Sequence, residues 1–370
     1  MVDGVTIPPS RGEPRGGPSG NEISRGGAVL TGAAPRLADI AAQASVSEAT
    51  ASRVINGKSG VASGTRRRVL AALDVLGYER PVRLRQRSAG LIGLLTPELT
   101  NPIFPAFAQA VEQVLAGHGY TPVLCTQLPG GATEEELVEQ LQESGVNGIV
   151  FLSGQHSDTA ADHSRYAELE DRGIPFVLIN GYSERINAPC VSCDDRAAMR
   201  MAVHHLAELG HERIGLAIGP VRYVPAGRKA EGFTDALTGI LGYTPSAAEQ
   251  LVQRSLFSLE GGHAAAGALL DKECTAIVCG SDMMALGVVR AARERGLDVP
   301  YDLAVVGFDD SQLVAFTDPP LTTVRQPVKA MAAAAVGALL EELQGSPVQN
   351  TEYVFQPELV VRGTTAQARR

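Results

Sequence analysis

The first regular pattern of apolar and polar positions begins at Arg36. In "RLADIAAQAS" Leu37, Ile40, Ala41 and Ala44 recur at helical spacing, and the short turn Ser45-Val46 ends the run. Ser47 has the side chain of a helix cap, and "EATASRVI" carries a second helix as far as Asn56-Gly57. In "TRRRVLAALDVLGY" Val69, Leu73 and Leu76 line one face of a third helix, with Gly77 where helices often end. Three short helices with one apolar face each predict a small all-α unit over residues 36–80. Residues 1–35 are rich in Gly, Pro and Ser with no apolar period, which predicts a disordered tail.

From Gly90 the period changes. The apolar runs "GLIGLLTP", "YTPVLCT", "GIVFLSG", "IPFVLING", "RIGLAIGP", "AIVCGSD" and "LAVVGFDD" each end on turn-forming residues. Helical stretches such as "FAQAVEQVLAGHG" and "RAAMRMAVHHLAELGH" lie between them. This alternation predicts an α/β body with doubly wound parallel sheets. Ligands of such sheets sit beyond the carboxyl ends of the strands, so the polar tails "TPELTN", "SGQHSD", "NGYS", "GPVRY", "CGSD" and "GFDD" line the expected cleft.

Charge divides the chain in the same place. The formal net charge of the 370 residues is −9. Between Arg36 and Arg87, however, ten basic side chains face four acidic ones, a balance of +6; residues 1–35 are neutral, which leaves −15 for residues 88–370. A basic head on an acidic body suits a head held at phosphates by counterion release.

The longest apolar run, "AMAAAAVGALL", is too short to span a bilayer, and no basic start followed by an apolar core marks an export signal, so a cytoplasmic protein is expected. Five cysteines argue against a disulfide framework, and the metal or redox spacing of "CVSC" stands alone in an extended stretch where residues three apart face opposite sides. Gly-x-Ser-x-Gly, a phosphate-binding Gly-Lys-Ser or Gly-Lys-Thr, and His-Glu-x-x-His are all missing, so no catalytic, metal or cofactor residues are assigned.

The stretch "LADIAAQASVSEATASRVING", followed by "VASGTRRRVLAALDVLGY", resembles the DNA-binding head of the lactose-repressor (LacI/GalR) family of bacterial transcription regulators. The body extends the resemblance over residues 36–363 through "LTNPIF", "HLAELGHERIGLAIGP", "AIVCGSDMMALGVVRAARERGLDVPYDLAVVGFDD" and "DPPLTTVRQP". It implies a small all-α helix-turn-helix head plus an α/β two-lobed periplasmic-binding-protein-like core. The head would span residues 36–80, a short basic linker 81–90 and the core 91–370. Lobe 1 would take 91–182 and 322–346, and lobe 2 would take 183–321 and 347–370.

The implied function is a repressor that binds a pseudo-palindromic operator DNA as a homodimer under a small-molecule effector, a sugar before a nucleoside or purine. A transporter's solute-binding protein or a sugar-processing enzyme would leave residues 36–87 without a role.

Position by position, the resemblance places DNA contacts on Ser47, Glu48, Ala49, Thr50, Ser52, Arg53 and Asn56. Glu48 can accept from a cytosine amino group and Arg53 can donate to guanine, while Glu48 is equally at home as a solvated residue at a helix N-terminus. After "GY" this chain has "ERPVRLRQRSAG" where the family has Pro-Asn and a hinge helix. That leaves Leu84 as the only large aliphatic wedge for the minor groove, with Arg83 and Arg85 beside it. Effector contacts fall on Asn101, Ile103, Phe104, Phe107, Ser153, Tyr223, Lys229, Phe257, Ser281, Asp309 and Gln326. Lys229 stands where the family usually has Arg, so either Arg228 takes over the bidentate contact or the ligand differs.

Overall fold

The computed structural model describes residues 35–55, 58, 60–76, 78, 88–127, 130–346 and 350–369. The chain forms two compact units, one ending at Arg85 and the other beginning at Gln86. Asn56, Arg83, Leu84 and Arg85, and all but Pro35 of the predicted tail, lie outside the described residues.

The first unit contains α1 (Leu37–Gln43), α2 (Glu48–Ile55) and α3 (Ser63–Leu76). Ile40, Ala41, Ala44, Ala51, Val54, Val69 and Ala72 are buried together, with Leu37, Leu73, Leu76 and Tyr78 around them. Alanines dominate this core, which lets short helices approach closely around one large residue, Ile40. Ser45 takes a left-handed backbone (φ 54°) in the tight turn between α1 and α2.

The second unit contains two six-stranded sheets. Its chain begins with β1 (Gly90–Thr96), α4 (Ile103–Gly117), β2 (Tyr120–Thr126), α5 (Glu134–Glu143), β3 (Gly148–Leu152), α6 (Ser164–Asp171), β4 (Phe176–Ile179) and β5 (Cys190–Cys193). It then enters the second lobe through α7 (Asp195–Glu208), β6 (Ile214–Ile218), α8 (Val224–Leu241), α9 (Pro245–Glu249), β7 (Val252–Arg254) and α10 (Leu259–Leu270). That lobe continues with β8 (Ala276–Cys279), α11 (Asp282–Glu294), β9 (Ala304–Asp309) and β10 (Thr322–Arg325). The chain returns to lobe 1 with α12 (Val328–Leu343) and β11 (Glu352–Phe355), and closes on lobe 2 with β12 (Glu358–Val360).

The first sheet is ordered β11-β5-β4-β3-β1-β2 and the second β12-β10-β9-β8-β6-β7. Every pairing is parallel except β10 with β12. In each sheet the strand order reverses, beside β1 in the first and beside β6 in the second, which opens a crevice at the carboxyl ends.

The seam between the lobes differs from the expectation in three places. β5 pairs with β4 and so belongs to lobe 1, not to the predicted 183–321 segment. β10 pairs with β9 in lobe 2, although residues 322–346 were expected in lobe 1. β11 pairs with β5 in lobe 1, although residues 347–370 were expected in lobe 2. These strands have only four residues each, and which sheet accepts a short parallel strand is set by distant partners rather than by its own pattern. The crossings after β5 and after β11 meet closely: Asp194 N donates to Phe355 O at 2.8 Å, and Gln356 Nε2 donates to Asp194 Oδ2 at 3.1 Å.

The "CVSC" strand follows the predicted alternation. Cys193 faces the core shared with lobe 2, and Cys190 faces the opposite core of lobe 1. Burial pushes both thiols up to about 12, which removes their nucleophilic character at neutral pH.

Candidate DNA-reading head and effector cleft

In the head, the Oγ of Ser47 accepts from Thr50 N at 3.2 Å and lies 2.9 Å from Thr50 Oγ1. Ser47 therefore caps α2 and fixes the direction in which that helix leaves the turn. Ala51 and Val54 turn inward, whereas Glu48, Ala49 and Arg53 are exposed and Thr50 and Ser52 half-buried. The outer face of α2 thus presents one carboxylate, one guanidinium and small polar side chains above a packed base, a set suited to base edges and phosphates. Arg68, on α3, donates to Ala44 O at 3.4 Å and so ties the third helix to the end of the first.

In the core, lobe 2 gathers the ionisable groups. Lys229, on α8, is buried and donates to Asp195 Oδ1, while its ammonium lies 3.9 Å above the centre of the Phe308 ring. Asp309 ends β9 and accepts from Gln326 Nε2 at 2.7 Å. Asp282, the first residue of α11, accepts from Thr323 Oγ1 at 2.6 Å and from Ser311 N at 2.7 Å. Burial first, and then the neighbouring Asp282 carboxylate, raise the Asp309 pKa well above the usual carboxylate range. Burial likewise pushes Asp282 up to about 6 and raises Asp195 despite its lysine partner.

Asp309 and Asp310 also both adopt positive φ, 119° and 55°. Strain of about 1–3 kcal/mol at each such residue persists where surrounding contacts over-determine the backbone. Arg362 and Arg325 supply them here by pairing with Asp310.

Phe257 lies beside the ends of two strands of lobe 2. Its ring lies so close to Gly219 that a Cβ there would sit 2.1 Å from it, and 3.2 Å from it at Gly280. Glycines just past the ends of β6 and β8 therefore seat an aromatic face at the mouths of two adjacent strands. Ser281 caps α11 by accepting from Met284 N at 3.3 Å.

From lobe 1, Asn101 Oδ1 accepts from Ile103 N at 3.3 Å at the start of α4. Phe104 is half-buried, and Ile103 and the fully enclosed Phe107 belong to the core. Ser153, just past β3, has φ 48° and donates its N–H to Ile179 O at 2.8 Å.

The structure thus brings Lys229, Asp309 and Gln326 into one buried polar group, with Phe257 against the neighbouring strand ends. Both terminal nitrogens of Arg228 are engaged by Glu352 of lobe 1. Asp195, Asp282 and Phe308 escaped the sequence reading. Asp282 lies in the tail "CGSD", but Asp195 follows "CVSC", which was not among the apolar runs whose tails were expected to line the cleft.

Comparison with known proteins fits this geometry. The profile for bacterial regulatory proteins of the lacI family matches residues 36–80, and that for a periplasmic binding protein-like domain matches residues 203–365. The HTH-type transcriptional regulator MalR of Streptomyces coelicolor is 65% identical over 334 residues, covering 90% of this chain and 97% of that protein. The chain belongs to the LacI family of transcription regulators.

As a LacI-family member it is a helix-turn-helix regulator and not an enzyme. The transcriptional regulator CelR in complex with cellobiose matches it with a TM-score of 0.67 at 30% identity, covering 89% of this chain and 99% of that one. A lac repressor dimer bound to operator and the anti-inducer ONPF matches with a TM-score of 0.64 at 27% identity, covering 90% of this chain and 100% of that one. Among the described residues no helix is long and apolar enough to cross a membrane.

Proposed function

We propose that the protein is a cytoplasmic repressor whose homodimer places two α2 helices in successive major grooves of a pseudo-palindromic operator, under the control of a saccharide bound between the lobes. The observation that carries the reading is the capped α2 helix, with Glu48, Ala49 and Arg53 exposed over a base made of Ala51 and Val54. In this reading Arg53 donates to a guanine edge, Glu48 accepts from a cytosine amino group, and Thr50 and Ser52 meet phosphates.

The saccharide reading rests on the polar group and aromatic wall of the cleft. Gln326 and the carboxyl of Asp309 offer both donors and acceptors to hydroxyls, and Phe257 offers an apolar face to a sugar ring. The cellobiose bound by the CelR structure favours the same class.

Self-association is supported by Leu313 and Phe316, 73% and 86% exposed, beside a concavity of about 440 Å³ lined in part by Leu286, Val289, Pro319 and Leu321. An apolar knob beside an apolar hollow suits a two-fold interface, in which each copy offers both.

A salt-controlled titration on the cognate duplex tests the DNA reading. Arg53→Ala is expected to cost about 1–3 kcal/mol on the cognate site and to relax base preference, whereas Arg85→Ala weakens binding to all sequences evenly. Unchanged affinity and preference in Arg53→Ala would overturn the assignment of α2.

A further inference from the structure

One set of contacts between the lobes lies where the loop after β3 meets the loop after β6. Asp158 Oδ2 accepts from Arg222 Nε at 2.9 Å. Thr159 donates to Arg222 O twice, from its N–H at 2.9 Å and from its Oγ1 at 3.0 Å. Asp158 and Tyr223 form an isolated antiparallel bridge, and the Arg222 guanidinium sits 5.1 Å from the centre of the Tyr223 ring. Backbone bonds and an ion pair thus join Asp158 and Thr159 of lobe 1 to Arg222 and Tyr223 of lobe 2, while the Arg222 guanidinium stacks on its own neighbour Tyr223.

The lobe 1 half is braced from inside. His156, fully buried, lies within hydrogen-bonding distance of Ile179 O and Asn180 O through its Nε2 and donates its N–H to Tyr166 Oη at 2.8 Å. Tyr166 donates to Glu134 Oε1 at 2.6 Å, and Glu134 Oε2 accepts from Gln155 N at 2.8 Å. His163 Nε2 lies 3.1 Å from Asp158 O, and Asp158 Oδ1 accepts from Ala160 N at 3.0 Å. Gly181, at φ 123°, lets Ser157 approach where a Cβ would stand 2.7 Å from the Ser157 Cα. A loop held this firmly behaves as a fixed post, and Arg222 closes on it.

We propose that Asp158, Thr159, Arg222 and Tyr223 form a clasp across the mouth of the cleft that holds the lobes closed and so positions the effector site before a ligand arrives. The clasp depends on the saccharide reading only for the identity of the ligand. Asp158, Thr159 and Arg222 are positioning residues: they act by setting the closed fraction of the protein, and a ligand that needs the closed cleft binds in proportion to that fraction. The Arg222 side chain is 56% exposed, so the ion pair weakens with salt while the backbone bonds remain.

Hydrogen exchange on the ligand-free full-length chain tests the clasp directly. The Thr159 amide is expected to be protected in wild type. Arg222→Ala is expected to speed exchange at least fivefold in residues 155–161 and 219–224 together while β3 and β6 stay protected, and the exchanged-charge pair Asp158→Arg with Arg222→Asp is expected to restore part of the protection. Calorimetry with cellobiose and with ribose provides the second arm: a sugar that binds wild type is expected to lose at least fivefold in affinity in Arg222→Ala. Binding of neither sugar would count against the saccharide reading, and exchange alone would still decide the clasp. Unprotected Thr159 in wild type, or exchange unchanged by Arg222→Ala, would overturn it.

Discussion

Asp309 is held by several constraints at once: it is buried, has a positive φ, bonds to Gln326 and lies near a second carboxylate. A group whose folded pKa is raised above its unfolded value stabilises the fold fully only in acid, and that stability is lost as pH rises through the folded pKa. Asp309→Asn keeps an oxygen for Gln326 and removes the ionisation. It is therefore expected to raise the melting temperature at pH 8, with a gain that shrinks as acid protonates wild-type Asp309; calorimetric scans from pH 8 to pH 5 check this. For the proposed saccharide, removing a polar partner costs more than trimming an apolar wall, because its hydroxyls would stay desolvated and unpaired. Asp309→Ala should thus abolish the effector response with operator binding intact, and Phe257→Ala should weaken it less, as read by operator titrations with and without ligand. Asp309 was legible because it ends an apolar run in "GFDD". The engagement of Arg228 by Glu352 was not, since 124 positions separate the partners and neither lies in a motif.

Among elements, long apolar runs such as β1 and β9 revealed themselves, whereas β10 and β11 were misplaced because a four-residue strand takes its sheet from its partner. The head helices were legible for a local reason: caps and apolar spacing sufficed for a three-helix core. That core is small enough to be tested by one truncation. Ile40→Ala is expected to cost about 2–5 kcal/mol and unfold the head. Operator binding would then disappear while effector affinity, measured by calorimetry, stays the same.

The braced loop after β3 gives a second element-scale test. Burial lowers His156 to about 4 from an ordinary 6.5, so the unfolded chain binds the proton more readily between those values. Its contribution, about 3 kcal/mol, is present above pH 6.5 and fades as pH falls towards 4. His156→Gln should be less stable than wild type at pH 7.5, and the gap in denaturant midpoint should narrow at pH 5.

At the scale of the whole molecule, the basic balance of residues 36–87 against the acidic remainder favours DNA contact at the head. In the proposed homodimer two heads act together, because one short helix reads too few bases for tight binding. Phe316→Glu is expected to shift sedimentation from dimer towards monomer and to weaken operator binding about 10- to 100-fold. The measurement that bears most directly on an effector-controlled DNA-binding protein is an operator titration at fixed salt. It would compare wild type and Asp309→Ala, each with and without a saccharide shown by calorimetry to bind the wild-type core. The saccharide is expected to change wild-type operator affinity at least tenfold and to leave that of Asp309→Ala unmoved. A saccharide that binds the wild-type core yet leaves its operator affinity unchanged would contradict effector control.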